Sequence, residues 1–181
     1  IQLQSHKDLG RKVWDPPVDL PWTCDACTTR GSGWGATLPS SPLTGNPQQS
    51  VGLPCAGIWT DTERELGITR LELKAVRRAI EQYRKWPVSR SFSDLTQGFE
   101  SLISGRSLLL WEDNAAVVSI LNNYSTSCAD MREDLHAIMQ MLELENAWMR
   151  TRYVASALNP SDWFSRLPSK AEWVLRQEAA D

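Results

Sequence analysis

The sequence has few of the residues that build zinc sites, and it lacks long apolar runs. Among 181 residues there are two histidines and four cysteines, and only Cys24 and Cys27 stand at a metal-ligand spacing. A structural zinc site usually needs a second such pair. We therefore expect free thiols in a reducing, intracellular compartment. No apolar segment approaches the roughly 20 residues of a membrane helix, which argues against a membrane protein.

An initiator methionine, an apolar leader and an excess of positive charge are also missing. The chain begins at Ile1 with polar residues, so we expect a processed product or a fragment of a longer one. Its 19 Lys and Arg against 22 Asp and Glu leave a net charge of −3, which argues against binding nucleic acid by charge alone. An acidic cluster that holds divalent cations would inflate the negative count, so nucleic acid stays a possible partner.

The apolar patterns predict an α/β protein with a five-stranded mixed sheet flanked by helices. Three short strands come first, as an antiparallel meander, and two later strands alternate with helices. The predicted strands are 20–27, 33–38, 56–60, 107–113 and 147–154. The predicted helices are 69–85, 115–123, 128–146 and a short one after Asn159, which we expect to be its N-cap with Pro160 at the first helical position.

These elements predict one domain over 20–167. An irregular lead-in at 1–19 precedes it, and a C-terminal helix at 168–181 follows it. The segment 39–54 is rich in Pro, Ser, Gly, Asn and Gln, which predicts a long surface loop. Such a loop is either functional or a tolerated insertion.

Four carboxylates stand where predicted strands end or helices begin: Asp25, Glu72, Asp113 and Asp162. Each has a plain structural alternative, since Asp113 would cap the next helix and Thr69 with Glu72 matches a capping box. Together they favour a metal centre, because strand ends and helix starts meet at one edge of an α/β sheet. Such oxygen ligands suit Mg²⁺ or Mn²⁺, and two such ions support phosphodiester cleavage.

Five blocks in one order resemble the ribonuclease H domain that follows reverse transcriptase in gypsy-like and DIRS-like retroelements. The blocks are Cys24–Ala26 with Gly33–Ala36, Gly57–Trp59, Ile68–Val76, Glu112–Ala116 and Asn159–Arg166. They look like the family's D-A-S…G-W-G-A, L-E-L-x-A, D-N and N-P-A-D-x-L-S-R motifs. The resemblance implies a ribonuclease H-like fold and cleavage of the RNA strand of an RNA–DNA hybrid.

The resemblance also implies roles for individual residues. The catalytic residues and ligands of two Mg²⁺ or Mn²⁺ ions would be Asp25, Glu72, Asp113 and Asp162. The residues that bind the hybrid would be Gly33, Trp34, Asn114 and Arg166. For Trp34 a place in the core competes, because most of nine tryptophans must be buried. Arg166 has the alternative of pairing with an acid at the helix start.

Two departures from the family pattern leave a second function open. Many relatives carry a histidine before the last aspartate, thought to help product release, whereas Tyr153 stands near that place here. The basic insertion that grips the hybrid in some cellular ribonucleases H is missing, so this domain would depend on an attached reverse transcriptase. The alternative is a domesticated, non-catalytic subunit that binds RNA or supports a larger assembly. The spacing of the blocks argues against an integrase or a resolvase.

Overall fold

The computed structural model describes residues 18–29, 33–38, 54–86 and 101–166. Its strands are β1 Leu20–Ala26, β2 Gly33–Thr37, β3 Pro54–Ile58, β4 Ser107–Glu112 and β5 Trp148–Tyr153. Its helices are α1 Asp61–Arg64, α2 Ile68–Tyr83, α3 Ala115–Asn123, α4 Ala129–Leu144 and α5 Ser161–Ser165. A 3₁₀ turn, Ser156–Leu158, precedes α5.

Some predicted segments lie outside the described residues. They are nearly all of the lead-in, almost the whole loop at 39–54, and the C-terminal helix. None of the helices in the described part of the chain has the length and apolarity that crossing a membrane requires.

The five strands form one mixed sheet in the order β3-β2-β1-β4-β5. β2 pairs antiparallel with both β1 and β3, and β4 pairs parallel with both β1 and β5. The predicted meander with two later strands is therefore confirmed. Because β1, β4 and β5 run in one direction, their carboxyl ends share one edge of the sheet, where ligands commonly bind in α/β proteins.

Alternation along β1 sends successive side chains to opposite faces of the sheet. On one face, Trp22 packs edge-on against Tyr83 of α2, with 6.0 Å between ring centroids. On the other face, the Thr23 hydroxyl lies 2.6 Å from the hydroxyl of Ser161 in α5. Helices α2 and α5 thus cover opposite faces, as predicted for a sheet flanked by helices.

The main apolar core lies between the sheet and α2. The predicted apolar stripe of this helix is buried: Leu73, Val76, Ala79, Ile80 and Tyr83. Burying a large side chain of this kind contributes about 1.5–3 kcal/mol. Helix α4 packs on α2 around the buried acid Asp134, which lies 2.9 Å from Arg77 and 3.6 Å from Lys74.

The predicted capping box at Thr69 and Glu72 is wrong. Helix α2 begins at Ile68, with Gly67 as its N-cap and no side-chain capping hydrogen bond. A capping box forms instead at Thr60 and Glu63 and opens α1, a helix that the sequence analysis did not predict. Glu72 is therefore not used as a cap, and its burial needs another explanation.

The structural alternative for Asp113 is also wrong. The N-cap of α3 is Asn114, whose side-chain oxygen accepts hydrogen bonds from two backbone N–H groups of the helix. Helix α5 begins one residue later than predicted, at Ser161, and Pro160 rather than Asn159 is its N-cap. Asn159 still bonds the helix start, since its Oδ1 accepts the N–H of Ser161 at 3.0 Å.

Candidate metal centre

Three of the four predicted acids meet at the carboxyl edge of the sheet. Asp25 is near the end of β1, Asp113 follows β4 directly, and Glu72 is the fifth residue of α2. One carboxylate oxygen from each lies within 4.8 Å of the other two. Three hard oxygen ligands around a common point are a typical set for a divalent cation such as Mg²⁺.

Glu72 is buried because it lies in the part of α2 that packs on the sheet. Its neighbours Leu71 and Leu73 are also fully buried, and Glu72 itself is 4% exposed. The Ala26 backbone N–H donates a hydrogen bond to its carboxylate. Burying an ionised carboxylate costs several kcal/mol unless it is paired, hydrogen-bonded or bound to a metal.

Several buried carboxylate oxygens at this edge have no hydrogen-bond partner within the described residues. They are Glu72 Oε2, Asp113 Oδ1 and Glu112 Oε2. Native proteins rarely leave buried polar atoms unsatisfied, so such atoms indicate a missing water or ion. Three carboxylate oxygens without donors at one edge fit a cation in particular, and the residues present therefore suit a divalent metal ion.

The electrostatics of the site point the same way. The pKa of Asp25 is raised to about 7, chiefly by burial and to a smaller extent by the charges of Asp113 and Asp162, while a hydrogen bond from Ser165 opposes the rise. Burial, followed by the charge of Glu112, raises the pKa of Glu72 well above its ordinary value. A bound divalent cation would reverse these shifts, because it stabilises the ionised carboxylates.

Two serine hydroxyls orient the acids. The Ser165 hydroxyl donates to Asp25 Oδ2, and the Ser156 hydroxyl donates to Asp113 Oδ2. Ser165 lies in α5, and Ser156 opens the 3₁₀ turn before it. The segment between β5 and the end of α5 therefore supports two of the three converging acids.

Helix α5 is held tightly on the sheet. Asn159 Nδ2 donates to the Cys24 carbonyl of β1 at 2.7 Å, ahead of the helix. Gly35 of β2 permits the closest approach, because a Cβ there would lie 2.5 Å from Phe164 Cβ and 2.7 Å from the Ser165 backbone nitrogen. The glycine in the G-W-G-A block thus lets α5 bring Ser165 to Asp25.

Asp162, the fourth predicted ligand, lies in α5 and is not in the group of three. Its Oδ1 accepts a hydrogen bond from Arg166 Nε at 2.8 Å and lies 2.7 Å from Arg166 Nη2. Its charge still acts on Asp25, so it stands near the site. The structure thus pairs Arg166 with an acid at the helix start, and the ligand role of Asp162 stays a prediction.

The other predicted substrate-binding residues have structural roles. A Cβ at Gly33 would lie 1.8 Å from the Gly57 carbonyl oxygen, so this glycine permits the pairing of β2 with β3. Trp34 is 3% exposed and belongs to the core, as its structural alternative predicted. Asn114 caps α3 at the edge that carries the acids. Contacts of these residues with a substrate stay predictions.

Sequence reasoning missed Glu112 and the two serines. Glu112 is fully buried although it precedes Asp113 at the polar end of β4. One signal was available, because Leu108, Leu110 and Glu112 share a face of an alternating strand. An acid on an otherwise apolar strand face indicates either a charge partner or a site.

Comparisons with known proteins identify the fold. No protein-family model and no curated protein sequence matches this chain. Among solved structures, it is similar to the RNase H1 of the halophilic archaeon Halobacterium salinarum, with a TM-score of 0.56, 16% identity, and coverage of 82% of this chain and 96% of that one.

Two further structures have the same fold. LC11-RNase H1, solved in complex with an RNA/DNA hybrid, has a TM-score of 0.55 and 13% identity, and the match covers 80% of this chain and 92% of that one. The N-terminal RNase H domain of a Mycobacterium tuberculosis protein has a TM-score of 0.54 and 11% identity over 88% of this chain and 99% of that one. The chain therefore has the ribonuclease H-like fold that its sequence motifs predict.

Proposed function

We propose that this chain, with its ribonuclease H-like fold, is a divalent-cation-dependent endonuclease that cleaves the RNA strand of RNA–DNA hybrids. The observation that carries the proposal is the meeting of Asp25, Glu72 and Asp113, with oxygens within 4.8 Å of one another, at the carboxyl edge of the sheet. A structural neighbour, LC11-RNase H1, was solved with an RNA/DNA hybrid. The products would be a 3′-hydroxyl and a 5′-phosphate.

The acids would hold two Mg²⁺ or Mn²⁺ ions. Such ions supply an activated water and stabilise the leaving oxygen in phosphodiester cleavage. Ser165 and Ser156 would hold the carboxylates of Asp25 and Asp113 in position, which reduces the reorganisation needed on binding. Asp162 is the proposed fourth ligand, and it would release Arg166 in order to bind a metal ion.

The proposed setting is reverse transcription of a retroelement, with the chain attached to a reverse transcriptase. The net charge of −3 supports this dependence, since the chain by itself offers little attraction to phosphate backbones. Gly33, Trp34, Asn114 and Arg166 are the proposed contacts to the hybrid. Of these, Asn114 and Arg166 are partly or fully exposed near the acids, and they are the better candidates for direct contact.

The test is cleavage of a hybrid labelled on each strand, with Mg²⁺ or Mn²⁺ at low salt. We expect metal-dependent cutting of the RNA strand alone, and its loss in Asp113→Asn. Asp134→Asn is the matched control, because Asp134 is a buried acid that pairs with Arg77 and Lys74 away from the site. No cleavage by the unchanged protein at high concentration, with either metal, would refute autonomous catalysis.

The ion pair between Asp162 and Arg166 favours a second candidate, a non-catalytic subunit that binds RNA or hybrid. In that case the positive charge of Arg166 already neutralises the fourth acid, Asp162, and the fold serves binding alone. Gel-shift measurements distinguish the two functions. Hybrid that the unchanged protein binds but never cuts, with either metal, supports the binding subunit.

A further inference from the structure

Glu112 is a buried acid that the proposed ligand set leaves unexplained. It is the last residue of β4 and has no exposed surface. The register of β4 with β1 ends at the pair Thr23 and Trp111, so the next residues, Cys24 and Glu112, lie side by side. Like Leu110 two residues earlier, Glu112 faces the side of the sheet that α2 covers.

The two carboxylate oxygens of Glu112 have different surroundings. Oε1 accepts the backbone N–H of Asn114 at 3.1 Å. Oε2 is buried, and no donor in the described ranges reaches it. Among neighbouring charges, that of Glu112 acts most strongly on Glu72, ahead of Asp25 and Asp113. The free oxygen therefore belongs to a carboxylate that stands next to the group of three.

Asp134 shows how this protein satisfies a buried acid whose role is structural. Arg77 and Lys74 surround it with positive charge at 2.9 and 3.6 Å. Within the described part of the chain, Glu112 makes no ion pair with any lysine or arginine. A buried carboxylate with one donor and one empty acceptor is costly, because its desolvation is not repaid.

We propose that Glu112 is a further cation-binding residue, whose free Oε2 is satisfied by the hydrated divalent cation that Asp25, Glu72 and Asp113 hold. The inference rests on the cation site of the proposed function. Mg²⁺ usually keeps several of its waters in proteins, and these waters donate hydrogen bonds to nearby carboxylates. Glu112 thereby adds one negative charge and one acceptor to the site and strengthens cation binding.

The test is calorimetric titration of the full chain with Mg²⁺ and Mn²⁺, without nucleic acid. Glu112→Gln keeps an oxygen for the Asn114 N–H and removes the charge. We expect the Kd for Mg²⁺ to rise about tenfold or more, as for other residues that support metal ligands. The cation-free Tm should be unchanged or higher, because a buried charge is lost. Glu112→Met, which has no oxygen, should weaken cation binding at least as much.

A control variant and the pattern of results separate failure of this inference from failure of the proposed function. Asp134→Asn should lower the Tm and leave the Kd for Mg²⁺ unchanged. If Glu112→Gln binds Mg²⁺ within twofold of the unchanged protein while Asp113→Asn does not bind it, Glu112 is structural and the inference is overturned. If the unchanged protein binds divalent cations and Glu112→Gln weakens that binding, but the unchanged protein cuts no hybrid, the inference stands and the nuclease function fails. An unchanged protein that binds no divalent cation overturns both.

Discussion

Raising the pH in the absence of divalent cations should destabilise this protein. The pKa of Asp25 is about 7 in the folded chain, against an ordinary value of 3.8, chiefly because the carboxyl group is buried. Between these two values the folded state holds a proton that the unfolded state has released. The folding contribution of Asp25 is therefore fully present below the ordinary pKa and is lost as the pH rises towards the folded pKa.

The loss of unfolding free energy follows from the size of the Asp25 pKa shift. Three pKa units at about 1.4 kcal/mol each give a total loss of about 4 kcal/mol, of which about 2 kcal/mol falls between about pH 5 and pH 7. Glu72 acts in the same direction, since its pKa is also raised. Glu63 and Glu145 have lowered pKa values, so their stabilisation is lost only as the pH falls below their ordinary value of 4.5. Between about pH 5 and pH 7 the stability therefore responds to the acids with raised pKa values and not to Glu63 and Glu145.

The assay is thermal unfolding in a chelator across this pH window, repeated with excess Mg²⁺. The contribution of Asp25 alone, about 2 kcal/mol, lowers the Tm of a chain of this size by about 4–8 °C. Added Mg²⁺ should restore the Tm most strongly at the upper end of the window, because the cation stabilises ionised acids. In Asp25→Asn, which has no proton to release there, the fall should be clearly smaller.

A cation-free Tm that stays level or rises across this window would contradict the reasoning about Asp25. So would a fall of equal size in Asp25→Asn, since the titrating group would then lie elsewhere. A response to Mg²⁺ that does not depend on pH would mean that the cation does not bind the titrating acids.

Three further predictions test the surroundings of the site. Gly35→Ala should cost about 1–3 kcal/mol of unfolding free energy through overpacking against α5, measured by urea denaturation, whereas Gly67→Ala, where a Cβ meets no atom within 4 Å, should cost clearly less. Ser165→Ala should weaken Mg²⁺ binding about threefold to tenfold in calorimetry, because Asp25 loses its hydrogen bond; unchanged affinity would deny Ser165 a positioning role. Cys128 should react fastest with a thiol reagent and Cys128→Ser should remove this phase, because the other three cysteines are buried; a fast phase that survives the substitution would contradict the packing of β1 and β3.

The period of the apolar residues was enough to predict most of the elements. Alternation and short apolar runs located β1, β2, β4 and β5, and helical spacing located α2 and α4, because both patterns reflect which side chains reach the core. Caps were less predictable. Thr60 with Glu63 and Thr69 with Glu72 fit the same local pattern, yet only the first pair forms a capping box. Thr69 is not a cap because α2 already begins at Ile68, and Glu72 is buried in the part of α2 that packs on the sheet.

The candidate site was predictable as far as strand order brings residues together. Asp25 and Asp113 lie at the carboxyl ends of the parallel neighbours β1 and β4, and Glu72 lies near the start of a helix that packs on β1, so their meeting follows from the topology. The pairing of Asp162 with Arg166 joins residues four apart along the chain, so local spacing allows it, and the sequence offered it as one of two alternatives. Whether Asp162 joins the other three acids depends instead on how α5 is placed on the sheet.

By itself, then, the sequence determined the order of the five strands, the α/β class and three acids that meet at the sheet edge, Asp25, Glu72 and Asp113. The tertiary structure alone decided which oxygens are buried without a partner. Asp134 and Glu112 are both buried acids, yet Asp134 receives two cations, Arg77 and Lys74, from α2, whereas Glu112 receives one backbone N–H. The difference arises because the free energy of a buried charge depends on its three-dimensional neighbours, and most of these are distant in the chain.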